Sequence, residues 1–364
     1  MKICFVVGEI FAWGRYGGFG SMTRILGKEL AKRGIDVCAV TLQRAGQPSE
    51  QQLDGITVLS YPAGTILSSG KLYRKCAADI YHSQEPTLGT YFAQKSMPTR
   101  KHIVTSIDPR TNFDWLIEGW HFSLKKKIMF PLIYSFEKNY FVNKAVQRAD
   151  AVYCQAKYIE RKTMFLYGLA GTSGFLPSPV HVPDQELVKA KEPTVCFLAR
   201  WDRRKRPEMF FKLARQYPHV KFIAVGKAHD QGYDAYLREK YARIPNLEMT
   251  GFIDQFSSGR LQEILEQSWI MINTAAREGL PASFLEAAAH KCAILSANNP
   301  DGFAENFGYH VRNDNYAAGL EILLKGQRWK RLGDAGYEYV RKTHEINAVI
   351  EQHIAIYENL LGKK

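Results

Sequence analysis

Two short apolar runs on either side of a helical stretch constrain the fold of this chain more than any other feature. Trp269–Asn273 and Ala293–Ser296 have the length and composition of buried strands. From Ser283 to about His290 the apolar residues recur at helical spacing. The pattern therefore predicts a strand, a helix and a second strand parallel to the first. Because such folds bind ligands at the carboxyl ends of their strands, we expect a site in the loop before this helix.

That loop carries one carboxylate, Glu278, and the first turn of the helix carries a second, Glu286. Gly279 and Pro281 keep the loop tight. The backbone amides of residues 282–284 face outward at the positive end of the helix, which favours phosphate. The two carboxylates can accept hydrogen bonds from sugar or ribose hydroxyls. This combination favours a nucleotide sugar as the ligand.

A structural interpretation of Glu286 stays equally open. Ser283 followed three residues later by Glu286 fits a capping box, in which the carboxylate only closes its own helix. Glu278 lies before the helix, where no cap requires a carboxylate. For Glu278 the functional interpretation is therefore favoured.

Length and cysteine usage indicate the general class of protein. A chain of 364 residues with 46% hydrophobic residues predicts two domains of ordinary size. No apolar run is long enough to span a membrane, and Met1-Lys2 leads directly into the apolar Ile3–Val7, so we expect a soluble, cytoplasmic protein. The cysteines form no CxxC pair, which favours separate buried thiols in a reducing compartment over disulfides or a zinc site. They are Cys4, Cys38, Cys76, Cys154, Cys196 and Cys292.

The formal net charge of +13 is uneven along the chain. Residues 1–190 hold 24 basic and 15 acidic side chains, and residues 191–364 hold 25 and 21. An acidic partner of the first half is therefore expected: an anionic small molecule, a membrane surface or nucleic acid. Nucleic acid ranks last, because the chain has no helix-turn-helix, zinc or RNA-binding signature.

A glycine-rich loop, Gly14–Gly20, follows the first predicted strand, and Ser21 is expected to begin a helix. A dinucleotide-binding fold would require G-x-G-x-x-G here and a carboxylate after the second strand. The glycines stand at 17, 18 and 20, and the second strand is followed by Gln43-Arg44, so this fingerprint fails. A plain tight turn stays an alternative interpretation of the loop.

Glu278, seven residues and Glu286, followed by Ala287-Ala288-Ala289 and a short apolar strand, resemble the signature of the family-four retaining glycosyltransferases with the GT-B fold. The Gly17-Gly18-x-Gly20 loop is similar to the loop that this family places near the donor phosphates and the acceptor. The resemblance implies an α/β protein of two Rossmann-like domains facing each other across a cleft. It also implies that the C-terminal helix crosses back to the first domain.

The expected domain bounds follow from this resemblance and from a Gly-, Ser- and Pro-rich stretch at residues 168–193. Residues 1–180, together with an amphipathic helix at 346–364, form the acceptor-side domain. Residues 181–345 form the donor-binding domain.

The resemblance also implies roles for individual residues. Arg200 and Lys205 match the family's Arg and Lys that hold the donor pyrophosphate, Glu278 would hold donor-sugar hydroxyls, and Glu286 the ribose. No metal is expected, because the chain has no Asp-x-Asp; nor is a cofactor expected beyond a UDP- or GDP-linked donor. Arg203, Arg204 and Arg206 are expected to be solvated. The expected donor-binding residues are Gly17, Gly18, Gly226, Lys227, Glu278, Gly279, Leu280, Ala282, Ser283, Phe284 and Glu286.

One departure from the family pattern concerns the active-site histidine. Family members usually end the relevant strand with Thr-x-His-Asp, whereas this chain has Thr105-Ser106-Ile107-Asp108. Asp108 and His82 are the candidate substitutes, with Asp108 as the predicted catalytic residue.

Residues 119–148 combine six basic side chains with seven aromatic ones. Met129, Leu132, Phe136 and Tyr140 lie at helical spacing, and Pro131 predicts that one helix ends and another begins near it. The commoner meaning of this pattern is a helix packed on the core with a solvated edge. The alternative is peripheral contact with the anionic inner face of a membrane.

Together these features predict a retaining hexosyltransferase that uses a nucleotide-sugar donor and a glycan or lipid-linked acceptor, as in polysaccharide or glycolipid synthesis. Two alternatives remain open. One is a GT-B-like epimerase or hydrolase of nucleotide sugars. The other is a nucleotide-sugar-binding protein without transfer activity, which the absence of the histidine at position 107 keeps open.

Overall fold

The computed structural model describes residues 1–12, 17–122 and 124–362, with the side chains at 124–126, 132, 133 and 136 outside the description. Strands and helices alternate through most of this range. The first half contains β1 (Lys2–Val6), α1 (Gly18–Lys32), β2 (Asp36–Leu42), β3 (Glu50–Leu53), β4 (Ile56–Tyr61), α2 (Ser69–Cys76), β5 (Ile80–Gln84), α3 (Leu88–Ser96), β6 (Lys101–Ser106), α4 (Asn112–Trp120), α5 (Leu124–Glu137), α6 (Tyr140–Gln147), β7 (Ala151–Cys154), α7 (Glu160–Tyr167) and β8 (Gly174–Phe175).

The second half contains β9 (Thr194–Leu198), α8 (Pro207–Gln216), β10 (Lys221–Val225), α9 (Gln231–Tyr241), β11 (Leu247–Gly251), α10 (Arg260–Gln267), β12 (Ile270–Asn273), α11 (Ala282–Ala289), β13 (Ala293–Ser296), α12 (Phe303–Asn306), β14 (Gly308–His310), α13 (Tyr316–Leu324), α14 (Arg328–Thr343) and α15 (Ile346–Leu360).

The chain forms two compact units. The first contains residues 1–112, 124–179 and 346–364, and the second contains residues 113–123 and 180–345. This division differs from the expected bounds at residues 113–123, which contain most of α4. The sequence assigned them to the first domain, but they pack with the second.

The first unit is built on an eight-stranded sheet with the order β3-β4-β2-β1-β5-β6-β7-β8. The pairs are parallel except that β3 runs antiparallel to β4. Alternate residues of β1 point to opposite faces of the sheet. Ile3 and Phe5 share a core with Ile350 and Tyr357 of α15, both fully buried. The C-terminal helix therefore completes the core of the first unit, as predicted.

The second unit has a six-stranded parallel sheet with the order β11-β10-β9-β12-β13-β14. Its four central strands, β9, β10, β12 and β13, carry apolar runs, as expected for a sheet covered by helices on both faces. Phe197, Phe210 and Phe222 lie at the centre of its core, with ring centroids 5.1–5.3 Å apart. Both units are thus parallel α/β structures.

Two helix boundaries differ from the predictions. Helix α1 begins at Gly18, three residues before the predicted start. A Cβ on Gly20 would lie 2.9 Å from the amide nitrogen of Phe11, so this close approach requires glycine. The predicted loop residues Gly14, Arg15 and Tyr16 lie outside the described chain. Pro131 lies inside α5 and not in a first turn, so the predicted break at this proline is wrong.

All six cysteines are buried and none forms a disulfide. The sequence predicted that the thiols are separate from one another, but three of them lie close together. The Sγ atoms of Cys4, Cys38 and Cys76 lie within 4.8 Å of one another. Their positions on β1, β2 and the end of α2 are far apart in sequence, so no spacing motif marks them.

In the part of the chain that the structure describes, no helix is both long enough and apolar enough to cross a lipid bilayer.

Candidate functional site

The strand order of the second sheet reverses between β9 and β12, which makes this position the topological switch point of the sheet. The chain proceeds from β9 to β10 and β11 on one side, then continues with β12 on the other side. The loops that leave β9 and β12 therefore diverge at the carboxyl edge, which is where open parallel sheets form a ligand crevice. Arg200 and Lys205 follow β9, and Glu278 follows β12, so the topology brings these predicted residues to one place.

Hydrogen bonds fix the two loops to each other. The Thr274 hydroxyl donates to the carbonyl oxygens of Lys205 at 2.7 Å and Arg206 at 3.0 Å. The Ala276 amide donates to the carbonyl of Arg204 at 2.9 Å. In addition, Nε of Arg206 donates a hydrogen bond to the carbonyl oxygen of Thr274 at 2.6 Å. The backbone around Lys205 is thus held before any ligand arrives.

Lys205 and Glu278 form an ion pair through Nζ and Oε1. Both side chains are largely buried, with 15% and 9% of their surface exposed. The Asn273 amide, at the end of β12, also donates to Oε1 of Glu278 at 3.3 Å. A pair removed from water this far is oriented more strongly than a surface pair, because less solvent competes for either charge.

Arg200 is the less neutralised of the two predicted diphosphate ligands. Its guanidinium lies 3.8 Å from the Asp202 carboxylate and forms no closer ion pair with the residues that the structure describes. About a third of each side chain is exposed. Arg200 thus supplies accessible positive charge beside the buried Lys205–Glu278 pair.

The expectation that Arg203, Arg204 and Arg206 are solvated is confirmed for the exposed Arg203 and wrong for Arg204 and Arg206, which are partly buried in ion pairs. The Arg206 guanidinium binds both carboxylate oxygens of Asp314, at 2.7 and 3.0 Å. Arg203 stacks over the Tyr233 ring, with 4.4 Å between the guanidinium carbon and the ring centroid. Arg204 binds Glu118 at 2.9 Å. Each of these arginines fixes the loop, which leaves Arg200 and Lys205 for a ligand.

Helix α4 brings two carboxylates onto this edge that the sequence did not predict. Arg277, the neighbour of Glu278, donates from Nε to Asp114 at 2.8 Å and from Nη1 to Glu118 at 2.9 Å. Glu118 also accepts the bond from Arg204. Arg277, Asp114 and Glu118 each expose at most 8% of their surface. This buried ion cluster holds the residues next to Lys205 and next to Glu278.

A sequence signal for this cluster existed. Asp114 and Glu118 are one helical turn apart in α4, whose other residues are uncharged and mostly apolar, and they therefore share a helix face. Their partners could not be identified, because Arg277 lies more than 150 residues away in sequence.

The predicted capping box at α11 does not form. Pro281 is the N-cap, the helix begins at Ala282, and no side chain caps it, so Ser283 lies within the first turn. Among the described residues, no group donates a hydrogen bond to the Glu286 carboxylate, and burial raises its pKa to about 7. Closing the helix is therefore not the role of Glu286.

The other predicted donor-binding residues of the second unit differ in their surroundings. The side chains of Leu280 and Phe284 are buried, so any ligand contact there must come from backbone. Gly226 has φ of +130°, and a Cβ on it would lie 1.9 Å from the Ala199 carbonyl oxygen. The fold therefore requires glycine at 226. Lys227 lies over the Phe252 ring, 5.8 Å from its centroid.

In the first unit, Gly17 is the N-cap of α1 and Gly18 is its first residue. The loop after β6 contains Ile107 and Asp108, whose amides donate to Oε2 of Glu85 at 2.6 and 2.7 Å. Burial raises the pKa of Glu85 to about 7, although the two amides favour its charged form. Glu85 directly follows β5 at the carboxyl edge of this sheet, and it was not among the residues predicted from the sequence.

His82 is part of the core of the first unit and does not lie in a loop at the edge of the sheet. Its Nδ1 and Nε2 lie 2.8 Å from the Tyr357 hydroxyl and 2.7 Å from the Thr105 hydroxyl. The ring is fully buried, and burial lowers the pKa of His82 well below its usual value. It is a core residue beneath α15, and of the two candidate substitutes only Asp108 lies in the loop.

Both units are α/β structures with largely parallel sheets, and in the second unit Arg200, Lys205 and Glu278 follow strands at the carboxyl edge, where open parallel sheets bind ligands. Residues 182–335 match the family model described as glycosyl transferases, group 1. No curated protein sequence matches the chain significantly.

Solved structures of similar fold cover nearly the whole chain. Sucrose-phosphate synthase from Thermosynechococcus elongatus is similar over 100% of both chains, with a TM-score of 0.76 and 16% identity. HepE from Anabaena in complex with UDP-glucose is similar over 100% of both chains, with a TM-score of 0.70 and 13% identity. A mutant of TarM from S. aureus in complex with Fondaparinux, α-GlcNAc-glycerol and UDP is similar over 98% of this chain and 99% of TarM, with a TM-score of 0.69 and 12% identity.

Residues 182–335, which make up most of the second unit, are thus similar to a group 1 glycosyltransferase domain, and the chain as a whole has the GT-B fold. The resemblance noted in the sequence is confirmed at this level.

Proposed function

We propose that this chain is a retaining glycosyltransferase that moves a sugar from a UDP- or GDP-linked donor to a glycan or lipid-linked acceptor. The observation that carries the proposal is the convergence of Arg200, Lys205 and Glu278 at the switch point of the second sheet. HepE and TarM, which have the same fold, are described as complexes with UDP-glucose and with UDP and glycans, respectively.

Each of these side chains has a chemical role in this proposal. Arg200 and Lys205 bind the donor diphosphate and stabilise the negative charge that develops as the sugar–phosphate bond breaks. Glu278 accepts hydrogen bonds from donor-sugar hydroxyls, and Glu286 accepts those of the ribose. The leaving phosphate itself accepts the proton of the acceptor hydroxyl, so no protein nucleophile is required.

The contacts around Lys205 support preorganisation of the donor site. The ammonium group has three N–H donors, and the ion pair with Glu278 uses one of them. The remaining donors can meet phosphate oxygens while the pair stays intact. Because the loops are already fixed, little reorganisation is needed when charge develops.

A matched set of alanine variants tests the proposal. A panel of nucleotide sugars read by thermal shift first identifies the donor, since a ligand of the folded state raises the melting temperature. Lys205→Ala and Arg200→Ala should then each lose roughly 2–4 kcal/mol of transition-state stabilisation in kcat/KM. Arg215→Ala, an exposed change on α8, serves as the control. Unchanged kcat/KM in Lys205→Ala would refute the assignment.

The roles of Glu278 and Glu286 can be distinguished by how each Gln variant affects nucleotide binding and sugar transfer. Glu278→Gln should reduce transfer without weakening the binding of bare UDP or GDP, because the loss of the carboxylate leaves the Lys205 ammonium for the diphosphate. Glu286→Gln should weaken the bare nucleotide as much as the sugar nucleotide, because both carry the ribose. Loss of bare-nucleotide binding in Glu278→Gln, with retention in Glu286→Gln, would show that the two roles are reversed.

Two further readouts address the mechanism and the alternatives. NMR of the product gives the configuration at the anomeric carbon, and inversion would contradict the retaining mechanism. Turnover of the donor without any acceptor requirement would favour a hydrolase or epimerase. Tight donor binding with no turnover under any acceptor would favour a binding protein, the alternative raised by Ile107.

A further inference from the structure

The three thiols of Cys4, Cys38 and Cys76 form a cluster that the proposed transfer reaction does not use. Cys4 on β1 and Cys38 on β2 are direct partners in the parallel register, so their side chains leave the same face of the sheet side by side. Cys76 is the last residue of α2, which packs on that face. The left-handed conformation of Ala77 ends the helix there.

The geometry of this thiol cluster fits a metal ion bound by three sulfur atoms. All three sulfur atoms lie within 4.8 Å of one another. Three sulfurs at a metal–sulfur distance of about 2.3 Å in a plane are separated by about 4.0 Å from one another. Closing around an ion therefore needs shifts of less than about 1 Å, within reach of side-chain rotation.

The surroundings restrict which ion would bind. The three side chains are buried in an apolar core with Val6, Val40 and Tyr73. Within the described chain, no His, Asp or Glu side chain joins the group as a fourth ligand. A structural zinc site takes four protein ligands, whereas soft thiolates also select Cu(I). Cu(I) fits three sulfurs without a fourth ligand.

We propose that Cys4, Cys38 and Cys76 form a binding site for a single Cu(I) ion in the core of the first unit. On binding, thiol protons are released to solvent as thiolates form, and no change of oxidation state is involved.

The site lies apart from the donor site, in the other unit, and does not depend on the proposed transferase activity. Its role would be structural. An ion bound there would link the end of α2, which packs on this face through apolar contacts, to the paired strands β1 and β2. A ligand that binds only the folded state raises the melting temperature, so occupancy should stabilise the first unit.

Anaerobic titration of the reduced full-length protein tests the site. The protein is unfolded in urea and refolded with Cu(I), so that burial does not prevent loading, and is then titrated against a chromophoric Cu(I) chelator. One ion per chain and a raised melting temperature are expected. Cys76→Ser should weaken Cu(I) binding by roughly tenfold or more. Cys154→Ser should bind Cu(I) like the wild type, since Cys154 is equally buried but lies on β7 in the same unit.

Several results would overturn the proposal. They are the absence of a stoichiometric ion after refolding, or equal binding by Cys76→Ser and Cys154→Ser. Zn(II) binding with the same cysteine dependence, without Cu(I) binding, would show that the choice of ion is wrong. Formation of a Cys4–Cys38 disulfide on mild oxidation of the Cu(I)-loaded protein, seen by mass spectrometry, would show that the thiols are not held by an ion. The melting temperatures of the metal-free variants establish that each one folds.

Discussion

At the scale of single residues, the environment of the two glutamates could not be foreseen from their spacing. Glu278 was expected in a loop, with no structural role, yet it forms an ion pair with Lys205, which lies 73 positions earlier in the sequence. Glu286 was given a capping partner that it lacks. The pattern identified which side chains matter, because their spacing places them at a strand end and a helix start. It could not give their partners, which depend on tertiary structure.

Replacing Glu286 by Gln is expected to change stability in a pH-dependent way. An unfolded chain has a Glu pKa of about 4.3, whereas the pKa of Glu286 in the folded protein is about 7. Between these values the unfolded state has lost a proton that the folded state keeps, so the wild type loses stability as the pH rises. Gln does not titrate. The variant should therefore gain on the wild type as the pH rises from about 4.3 to about 7, by at most about 4 kcal/mol in total.

Urea unfolding of both proteins at about pH 5 and about pH 8 measures this difference. Glu358→Gln, an exposed change on α15, is the matched control and should show no such pH dependence. A Glu286→Gln variant that is no more stable than the wild type at the higher pH would mean that Glu286 is not held in an unfavourable charged state there.

At the scale of elements, most strands and helices were predictable, and α4 was not. The last helix was predicted within residues 346–364 and is found at Ile346–Leu360, because a regular apolar stripe marks it. Helix α4 carries Asp114 and Glu118 on one face, which is buried against Arg277 and Arg204 in the tertiary structure. Charged side chains are usually exposed unless they are paired, and the pairing partner cannot be identified from the sequence pattern. The burial of such a helix face is therefore not predictable from the sequence.

Glu118→Gln is expected to destabilise the second unit. The change keeps the size of the side chain but removes the charge that two arginines share. Breaking a buried pair costs on the order of 3 kcal/mol, because a charge is left uncompensated. The exposed Arg110–Glu137 pair, at 3.2 Å, provides the comparison, and Glu137→Gln should cost about 1 kcal/mol or less.

Urea unfolding and donor affinity are measured for both variants. Because Arg277 and Arg204 adjoin Glu278 and Lys205, Glu118→Gln should also weaken donor binding, while Glu137→Gln should not. Equal unfolding midpoints and affinities in the two variants would mean that the buried cluster contributes no more than a surface pair.

At the scale of the whole molecule, the basic and aromatic stretch at 119–148 is divided between the two units. Trp120 belongs to the second unit, and α5 and α6 belong to the first. In the first unit, Ile128 and Tyr140 expose 74% and 67% of their surface. The predicted stripe is interrupted, since Tyr140 begins a separate helix, and the side chains of Leu132 and Phe136 lie outside the description. Exposed apolar side chains beside Lys127 and Lys144 support the proposal of contact with an anionic lipid surface.

Binding to vesicles that contain anionic lipid tests that proposal. Binding should weaken with salt, because the screening length falls from about 10 Å at 0.1 M to about 3 Å at 1 M. An Ile128→Ser, Tyr140→Ser double variant should bind less at every salt concentration. Leu67→Ser, an equally exposed apolar residue of the same unit, should not change binding. Failure of the wild type to bind at low salt would leave α5 and α6 as ordinary surface helices.

The discontinuity of the first unit has a consequence for biosynthesis. Its core around β1 needs Ile350 and Tyr357 of α15, so it cannot be completed on the ribosome until those residues leave the exit tunnel. The whole second unit, by contrast, lies within residues 113–345 and emerges earlier. Although the first unit contains the N-terminus, its core is therefore expected to be completed last. Until then the apolar face of β1 lacks the cover that Ile350 and Tyr357 provide in the finished fold.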